Sequence, residues 1–240
     1  MNNLTSIRKF ISKSVRFLSQ WLRYCFKYSE YMNISYSQEG EDLILKRIFE
    51  GQKSGVFVDV GAHHPKRFSN TFVFYLKGWR GINIDAMPGS MKAFNKIRPE
   101  DINIECPISD KEEELIYYIF NEPALNTLSQ FEAEKKNGLN GFKIIEKKKL
   151  FTNTLSNILS QNLKNKQQID FLSIDVEGFD LNVLKSNDWS KYKPKVILVE
   201  DLTCDLETIF EKGSVKIYLQ LRGYKLYAKS VNTLFFLLQE

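Results

Sequence analysis

Two acidic residues in the second half of the chain have the type and spacing of an acid–base pair. Asp175 and Glu177 follow a short apolar run and precede Gly178. A carboxylate in that position can take a proton from an acceptor or orient the acceptor's hydroxyl group. Two alternatives stay open: the acids stabilise the positive end of the next helix, or they hold a divalent cation together with a histidine. Asp175 and Glu177 are therefore candidate catalytic residues, and no residue is assigned to a metal.

The two histidines of the chain, His63 and His64, are adjacent and precede Pro65. An imidazole titrates near neutral pH, so His64 is a third candidate catalytic residue. His63 is a candidate substrate contact. The alternative is that His64 holds the loop before Pro65 in place.

A separate group of residues has the spacing of a nucleotide-like cofactor site. Asp59 and Gly61 end one predicted strand, Asp85 ends the next, and Ser109 with Asp110 follows a third. The ends of parallel strands meet at one edge of a sheet, where a carboxylate can accept both hydroxyls of a ribose. The turn after the first strand has a single glycine, whereas a dinucleotide pyrophosphate requires a turn with several. The pattern favours a cofactor without phosphates and disfavours an NAD-dependent dehydrogenase.

Three amide side chains complete the candidate site. Gln38 is a candidate cofactor contact, because residues 38–42 form a segment that can close over a bound donor. Asn70 and Asn126 are candidate substrate contacts. Residues 69–71 can instead cap the next helix. Asn126 falls in a polar stretch with weak periodicity, residues 121–150, which predicts a lid or a substrate loop.

The chain from Val56 onward alternates β-rich runs with helical segments. This alternation is typical of an α/β sheet with helices on both faces. Strands are predicted at residues 55–60, 81–85, 102–106, 114–120, 170–175, 195–200, 224–228 and 233–238. Helices are predicted at residues 69–77, 154–162 and 207–221. Two more are predicted with one end only: one begins at residue 88, and one follows the strand at 170–175 and runs through residue 183. The last two strands should form an antiparallel pair that closes a mostly parallel sheet.

Residues 1–35 precede this domain and are predicted to form a basic amphipathic helix. Residues 1–29 hold six of the 34 bases and no acid, which leaves 28 bases and 29 acids for the rest. The core thus shows no basic excess, and no nucleic-acid partner is expected. The helix can pack on the domain or a dimer partner, contact an anionic membrane through residues 4–27, or stay free. Its apolar residues recur at helical spacing: Leu4, Ile7, Ile11, Leu18, Trp21, Leu22 and Cys25.

Cysteine usage and hydropathy favour a cytoplasmic protein, with peripheral contact at the inner face of the membrane as an option. The three cysteines are widely separated and odd in number, which argues against a disulfide framework. No apolar run approaches the roughly 18–20 residues that a membrane span requires. The oligomeric state is left open.

Several ordered blocks of the chain resemble the FkbM family of methyltransferases. The similarity runs from Tyr36 to the C-terminus, so residues 36–240 are taken as one methyltransferase domain. The blocks are SQEGED (37–42), VDVGAHHP (58–65), FSNT (68–71), GWRGINID (78–85), NEPALNT (121–127) and IDVEG (174–178).

The resemblance implies a class I, Rossmann-like fold with a seven-stranded sheet, S-adenosylmethionine as the donor and, usually, O-methylation. It also implies that Asp59 and Gly61 border the methionine portion of the donor and that Asp85 binds the ribose. Ser109 and Asp110 would then lie beside the adenine. A sugar, a glycan precursor or another small polar molecule is the acceptor that the family favours. A catalytically silent scaffold recruited to a membrane is the competing interpretation from another class.

Overall fold

The computed structural model describes residues 15–23, 31–164, 167–202 and 206–239. The chain divides into two compact units, residues 1–34 and 35–240. Residues 15–23 of the first unit are helical, and each of them is exposed. Among the described helices, none is long and apolar enough to cross a bilayer. Several residues of the predicted amphipathic helix, and one further cysteine, lie outside the described residues: Leu4, Ile7, Arg8, Lys9, Ile11, Lys13, Cys25, Lys27 and Cys204.

Seven strands of the described residues form the main sheet, in the order β3-β2-β1-β6-β7-β9-β8. The first five strands in this order pair in parallel, whereas β9 is antiparallel to both β7 and β8. The predicted mostly parallel sheet with an antiparallel C-terminal pair is confirmed. The strands are β1 Val56–Val60, β2 Arg80–Asp85, β3 Ile102–Glu105, β4 Glu114–Phe120, β5 Ile144–Phe151, β6 Phe171–Ile174, β7 Val196–Glu200, β8 Tyr224–Lys229 and β9 Thr233–Leu238.

Helices cover both faces of the main sheet. The helices are α1 Glu41–Ile48, α2 Phe72–Leu76, α3 Met91–Ile97, α4 Gln130–Lys136, α5 Leu155–Asn162, α6 Asp180–Lys185, α7 Leu206–Lys212 and α8 Ser214–Gln220. Val58 of β1 belongs to a core cluster that includes Leu159 of α5. Its neighbour Phe57 belongs to the cluster on the other face, with Leu45 of α1. The central strands are therefore buried on both faces and mostly apolar, as buried parallel strands generally are.

The strand register places the polar residues of the central strands on one face. Asp59 lies in register with Asn83 of β2 and with Ser173 of β6. Alternate residues of a strand share a face, so Asp85 lies on the same face as Asn83. Asp59 and Asp85, on which the cofactor prediction depends, are consequently on one side of the sheet.

The stretch at residues 121–150, predicted as a lid or substrate loop, is largely regular structure. It contains α4 and most of β5, and β5 pairs with β4 in a separate two-stranded sheet. The three consecutive lysines of β5, residues 147–149, are all exposed. A two-stranded ribbon outside the main sheet buries little of its surface, so its sequence does not need the apolar alternation that reveals most strands.

Three predicted helices differ from the observed ones at their ends. The helix predicted from residue 69 begins at Phe72, whose N–H donates to the Ser69 hydroxyl at 3.1 Å. The helix predicted from residue 88 begins at Met91. The helix predicted at residues 207–221 is two helices, because the chain is extended at Gly213. A Cβ atom on Gly213 would lie 2.6 Å from the carbonyl oxygen of Ile209, so this break requires glycine.

Candidate active site

An open cavity of about 450 Å³ lies at the carboxyl edge of the main sheet. Its lining includes the residues that end or follow four strands: Gly61 after β1, Asp85 of β2, Asp175 after β6 and Glu200 of β7. The strand order reverses between β1 and β6. Ligands of open α/β sheets bind beside such a reversal, and this volume is typical of small-molecule sites. The cavity is therefore the candidate active site.

Eight of the twelve predicted site residues line this cavity: Gln38, Gly61, His63, His64, Asp85, Asn126, Asp175 and Glu177. The other four, Asp59, Asn70, Ser109 and Asp110, are absent from its lining. Asn70 lines a small recess of about 30 Å³, which shares Gln38, Asp175 and Glu200 with the cavity. The amide nitrogen of Asn70 donates to the Ser173 hydroxyl at 3.1 Å.

Asp85 stands at the tip of β2 with room for a ligand on both carboxylate oxygens. One oxygen accepts the N–H of His63 at 2.8 Å, and the other accepts the N–H of Met87 at 2.8 Å. A carboxylate oxygen has two acceptor positions, so the two backbone bonds leave one position on each oxygen, for which the Ser90 hydroxyl and the hydroxyls of a vicinal diol compete. Burial raises the pKa of Asp85, and the hydrogen bonds from the backbone of Met87 and His63 and from the Ser90 side chain oppose the rise.

Asp59 lies beneath the cavity. Its carboxylate accepts the Thr71 hydroxyl at 2.9 Å and interacts with the guanidinium of Arg98, which is fully buried. Burial raises the pKa of Asp59 to about 6, and Arg98 opposes this rise. Asp59 is absent from the cavity lining, because it precedes the last residue of β1 and its carboxylate bonds to Thr71 at the start of α2. Its contact with the donor stays a prediction.

Ser109 and Asp110, predicted beside the adenine, are also directed away from the cavity. After β3, residues 106–108 line the cavity instead. Ser109 is buried, with its hydroxyl 3.2 Å from Asp110, and Asp110 accepts the amide of Asn182 in α6 at 3.2 Å. The residues after β3 that line the cavity are thus three positions earlier than predicted, and the chain then turns toward α6.

Gly61 joins three strand ends through the backbone. Its N–H donates to the carbonyl of Ile84 at 2.9 Å, and the N–H of Asp175 donates to the carbonyl of Val60 at 3.0 Å. The φ of Gly61 is +83°, and a Cβ atom there would lie 1.7 Å from the carbonyl oxygen of Asp175. The backbone of Gly61 therefore lies close to the residue that follows β6, and this close contact fixes the position of Asp175.

Three carboxylates meet at the ends of β6 and β7. Asp175, Glu177 and Glu200 each place one oxygen within 4.8 Å of the others, a spacing that could hold a metal ion. Neither histidine belongs to this group, in contrast to the cation site considered from the sequence. Lys136 of α4 forms an ion pair with Glu177. Within the described residues, the carboxylates of Asp175 and Glu200 accept no hydrogen bond.

Sequence analysis missed Glu200 and Lys136. Glu200 ends the predicted strand at 195–200, and the rule that identified Asp85 applies equally to it: acids at the carboxyl ends of parallel strands share an edge. Lys136 had no such signal, because it reaches Glu177 from the inserted segment between β4 and β5.

The three acids retain protons more strongly than isolated carboxyls. Burial, then repulsion by Glu177, raises the pKa of Asp175 well above its usual range. Because Asp175 is exposed at the open cavity, repulsion by the neighbouring carboxylates is the cause that its geometry supports. Burial also raises the pKa of Glu177 and of Glu200, and Lys136 opposes both shifts. Groups this close titrate as one set.

His64 is held by the loop that it stabilises. Its Nδ1 accepts the N–H of Lys66 at 3.1 Å and the N–H of Arg67 at 2.9 Å. These bonds assign the proton of the neutral ring to Nε2, so no nitrogen keeps a free lone pair for proton removal. Burial and the positive charge of Arg67 lower the pKa of His64, which favours this neutral form. The loop interpretation therefore accounts for His64.

The ribbon and the segment after β4 supply a further wall of the cavity. Tyr117 of β4, Asn126 and Thr127 line it. The Thr127 hydroxyl donates to the carbonyl of Glu177 at 2.8 Å, which ties this wall to the acidic cluster. Asn126 accepts the N–H of Phe120 at 2.8 Å on its carbonyl oxygen, and its amide nitrogen donates to the sulfur of Met87 in the cavity wall at 3.6 Å.

The segment that carries Gln38 is anchored on both sides. Glu39 accepts the backbone N–H and the side-chain amide of Asn232, each at 2.7 Å. Asp42 accepts the N–H of Tyr36 at 2.8 Å and the Ser35 hydroxyl at 2.7 Å. These bonds tie the start of α1 to the turn between β8 and β9, and so they position Gln38 at the cavity.

The family model of the methyltransferase FkbM domain matches residues 59–226, more than two thirds of the chain. The chain belongs to the FkbM methyltransferase family. The matched range includes every cavity residue described above except Gln38. The FkbM protein is accordingly a methyltransferase with the class I fold, and its family uses S-adenosylmethionine in general.

No curated protein sequence matches this FkbM methyltransferase. Two solved structures resemble it at low scores. One, assigned as an RNA methyltransferase from Pyrococcus horikoshii, has a TM-score of 0.43 and 9% identity, covering 87% of this chain and 92% of its own. The other, a TehB-like SAM-dependent methyltransferase from Corynebacterium glutamicum, has a TM-score of 0.39 and 9% identity, covering 95% of this chain and 99% of its own.

Proposed function

We propose that this protein transfers a methyl group from S-adenosylmethionine to a hydroxyl of a sugar, a glycan precursor or another small polar acceptor. One observation carries the proposal. A single cavity holds a diol-binding carboxylate at the tip of β2 and an acidic cluster at the tips of β6 and β7. β2 and β7 are three strand spacings apart in the sheet, or roughly 14 Å, which leaves room for an adenosyl group and an acceptor.

The residues of the cavity fit this donor. Asp85 can accept both ribose hydroxyls on its remaining lone pairs. Met87 and residues 106–108 offer a mostly apolar surface for a flat base. The turn at Gly61 has no series of glycines for a pyrophosphate, which a donor without phosphates does not require. When bound, S-adenosylmethionine supplies a methyl group that its sulfonium has already activated.

The protein's own contribution is to orient the acceptor and remove its proton. Asp175 suits both tasks, because its carboxylate is exposed to the cavity and accepts no hydrogen bond from the described residues. Its raised pKa makes it a stronger base than an ordinary aspartate once it is ionised. Glu177 is held by Lys136, so its role is to fix the cluster and tune the charge beside Asp175.

The recess beside Asp175, at about 30 Å³, has room for about one hydroxyl group of an acceptor that otherwise lies in the main cavity. It is lined by amides, a hydroxyl and carboxylates, among them Gln38, Asn70 and Thr233. Such groups pair well with the hydroxyls of a sugar, and the family resemblance points to the same class of acceptor. We infer a role in glycan or polysaccharide biosynthesis and a cytoplasmic location, which a free, half-buried Cys106 and an odd cysteine count support.

The test is incubation of the protein with isotope-labelled donor and a panel of sugars and glycan precursors, followed by mass spectrometry. We expect one acceptor to gain one labelled methyl group on oxygen. Calorimetry with S-adenosylmethionine and with NAD, in the absence of acceptor, separates the alternatives. Binding of NAD alone would indicate a dehydrogenase, and binding of neither would leave a scaffold; either result overturns the proposal.

A further inference from the structure

The helix at residues 15–23 presents a continuous apolar surface to solvent. Its five apolar side chains are between 43% and 71% exposed. At 3.6 residues per turn they fall on one arc of roughly 160°, and the four polar residues fall on the opposite arc. These apolar residues are Val15, Phe17, Leu18, Trp21 and Leu22.

The polar side of the same helix is cationic. Arg16 and Arg23 are both exposed, with Ser19 and Gln20 between them. No acid occurs in residues 1–29, so nothing nearby in the sequence neutralises these arginines. A surface that complements this helix must therefore be apolar beneath and negatively charged at its boundary, which describes the headgroup region of an anionic bilayer.

We propose that this helix docks the protein on an anionic membrane surface. The apolar arc enters the boundary between headgroups and acyl chains, and Arg16 and Arg23 contact lipid phosphates or carboxylates. Phe17 and Trp21 supply the aromatic area that interfacial helices use. The helix lies along the surface, since no described helix is long and apolar enough to span the bilayer. This inference is independent of the methyl acceptor.

The experiment is co-sedimentation of the full chain with phosphatidylcholine vesicles and with vesicles in which about a third of the lipid is phosphatidylserine. We expect binding to the second kind only, weakened at high salt. The double variant Arg16→Glu with Arg23→Glu should bind at least about tenfold more weakly. The matched control, Lys53→Glu with Lys193→Glu, makes the same charge change at two exposed lysines of the main domain and should bind normally.

Tryptophan fluorescence gives a second measurement. Trp21 is 56% exposed, Trp79 is buried and Trp189 is half-buried, so a blue shift on adding vesicles should come from Trp21 and disappear in Trp21→Phe. The proposal is overturned by no binding to either vesicle, by equal binding to both, or by equal loss in the lysine control. It is also overturned if Phe17→Gln with Trp21→Gln abolishes a dimer in sedimentation velocity while the unaltered chain ignores vesicles.

Discussion

At the scale of single residues, Asp85 and Asp59 differ in what their carboxylate oxygens can contact. Asp85 lines the cavity with free lone pairs, whereas Asp59 is beneath it and bonded to Thr71. We expect Asp85→Asn to weaken S-adenosylmethionine binding at least about tenfold in calorimetry, because a charge-assisted pair of hydrogen bonds is lost. Asp59→Asn should stay within about threefold, because the amide oxygen can still accept the Thr71 hydroxyl. Equal losses in both variants would contradict this placement.

The acidic cluster predicts a particular pH dependence. Asp175→Asn and Glu177→Gln should each lower turnover at least about tenfold while the protein stays folded. Turnover of the unaltered enzyme should fall as the pH drops through the raised pKa of the cluster, because Asp175 then holds a proton and cannot accept another. Lys136→Met removes the positive charge that opposes the raised pKa of the cluster, so it should raise that pKa further and move the loss of activity to higher pH.

The measurement is a pH–rate profile of the Lys136→Met variant beside the unaltered enzyme. Lys148→Met, at an exposed position of β5, is the matched control and should leave the profile in place. An acid limb that Lys136→Met does not move, or moves to lower pH, would show that Lys136 does not act on the group that titrates.

Two variants of His64 can distinguish its role as a hydrogen-bond acceptor in the loop from a role as a base. An asparagine at this position places an oxygen near the site of Nδ1, where it can accept the same loop N–H groups. We expect His64→Asn to keep turnover within about threefold, and His64→Ala to lower the melting temperature because two N–H groups lose their acceptor. Loss of turnover in His64→Asn without loss of donor binding would restore a catalytic role for this imidazole.

At the scale of elements, Gly61 determines how the ends of β1 and β6 meet. Gly61→Ala forces both a positive φ on alanine and a Cβ atom 1.7 Å from a carbonyl oxygen. Gly51→Ala is a matched control, since Gly51 has φ +82° with open space around it. We expect the control to cost about 1–2 kcal/mol of unfolding free energy, and Gly61→Ala to cost more than about 4 kcal/mol or prevent folding. Chemical denaturation of both variants measures this difference, and similar costs would exclude the tight junction.

The elements that could be predicted from the sequence are those whose burial leaves a pattern. β1, β6 and β7 are apolar on both faces, so they appear as continuous apolar runs bounded by acids or turns. β5 has no buried residue, and its three consecutive lysines give no apolar pattern by which a strand could be predicted. Spacing alone likewise does not reveal the break at Gly213, where the backbone is extended and lies too close to Ile209 for a Cβ atom.

The site was predictable to the extent that its residues end strands. Asp85, Gly61 and Asp175 follow from that rule, and Glu200 was within its reach. Ser109 and Asp110 do not line the cavity, because the path of the loop after β3 depends on contacts with α6 that spacing does not reveal, and their place beside the adenine stays a prediction. Lys136 could not be predicted, because its ion pair with Glu177 joins residues far apart in the chain. The segment that carries Lys136 lies between β4 and β5, and β5 was not predicted either.

At the scale of the whole molecule, both large core clusters draw their residues from positions beyond 35. The main domain therefore contains the buried apolar side chains that stabilise its own fold. The basic excess, in contrast, lies in residues 1–29. We therefore expect catalysis and the proposed membrane docking to belong to different parts of the chain, so that each can be removed without the other.

A chain that begins at Ser35 tests this division. Because residues 35–240 form a compact unit with their own core, we expect its melting temperature to equal that of the full chain within about 3 °C. S-adenosylmethionine at about 100 times its Kd should add about 2.7 kcal/mol to both proteins and raise both melting temperatures by roughly 5–10 °C. Only the full chain should bind anionic vesicles. A shortened chain that melts well below the full chain, or loses the shift with donor, would show that residues 1–34 support the catalytic domain.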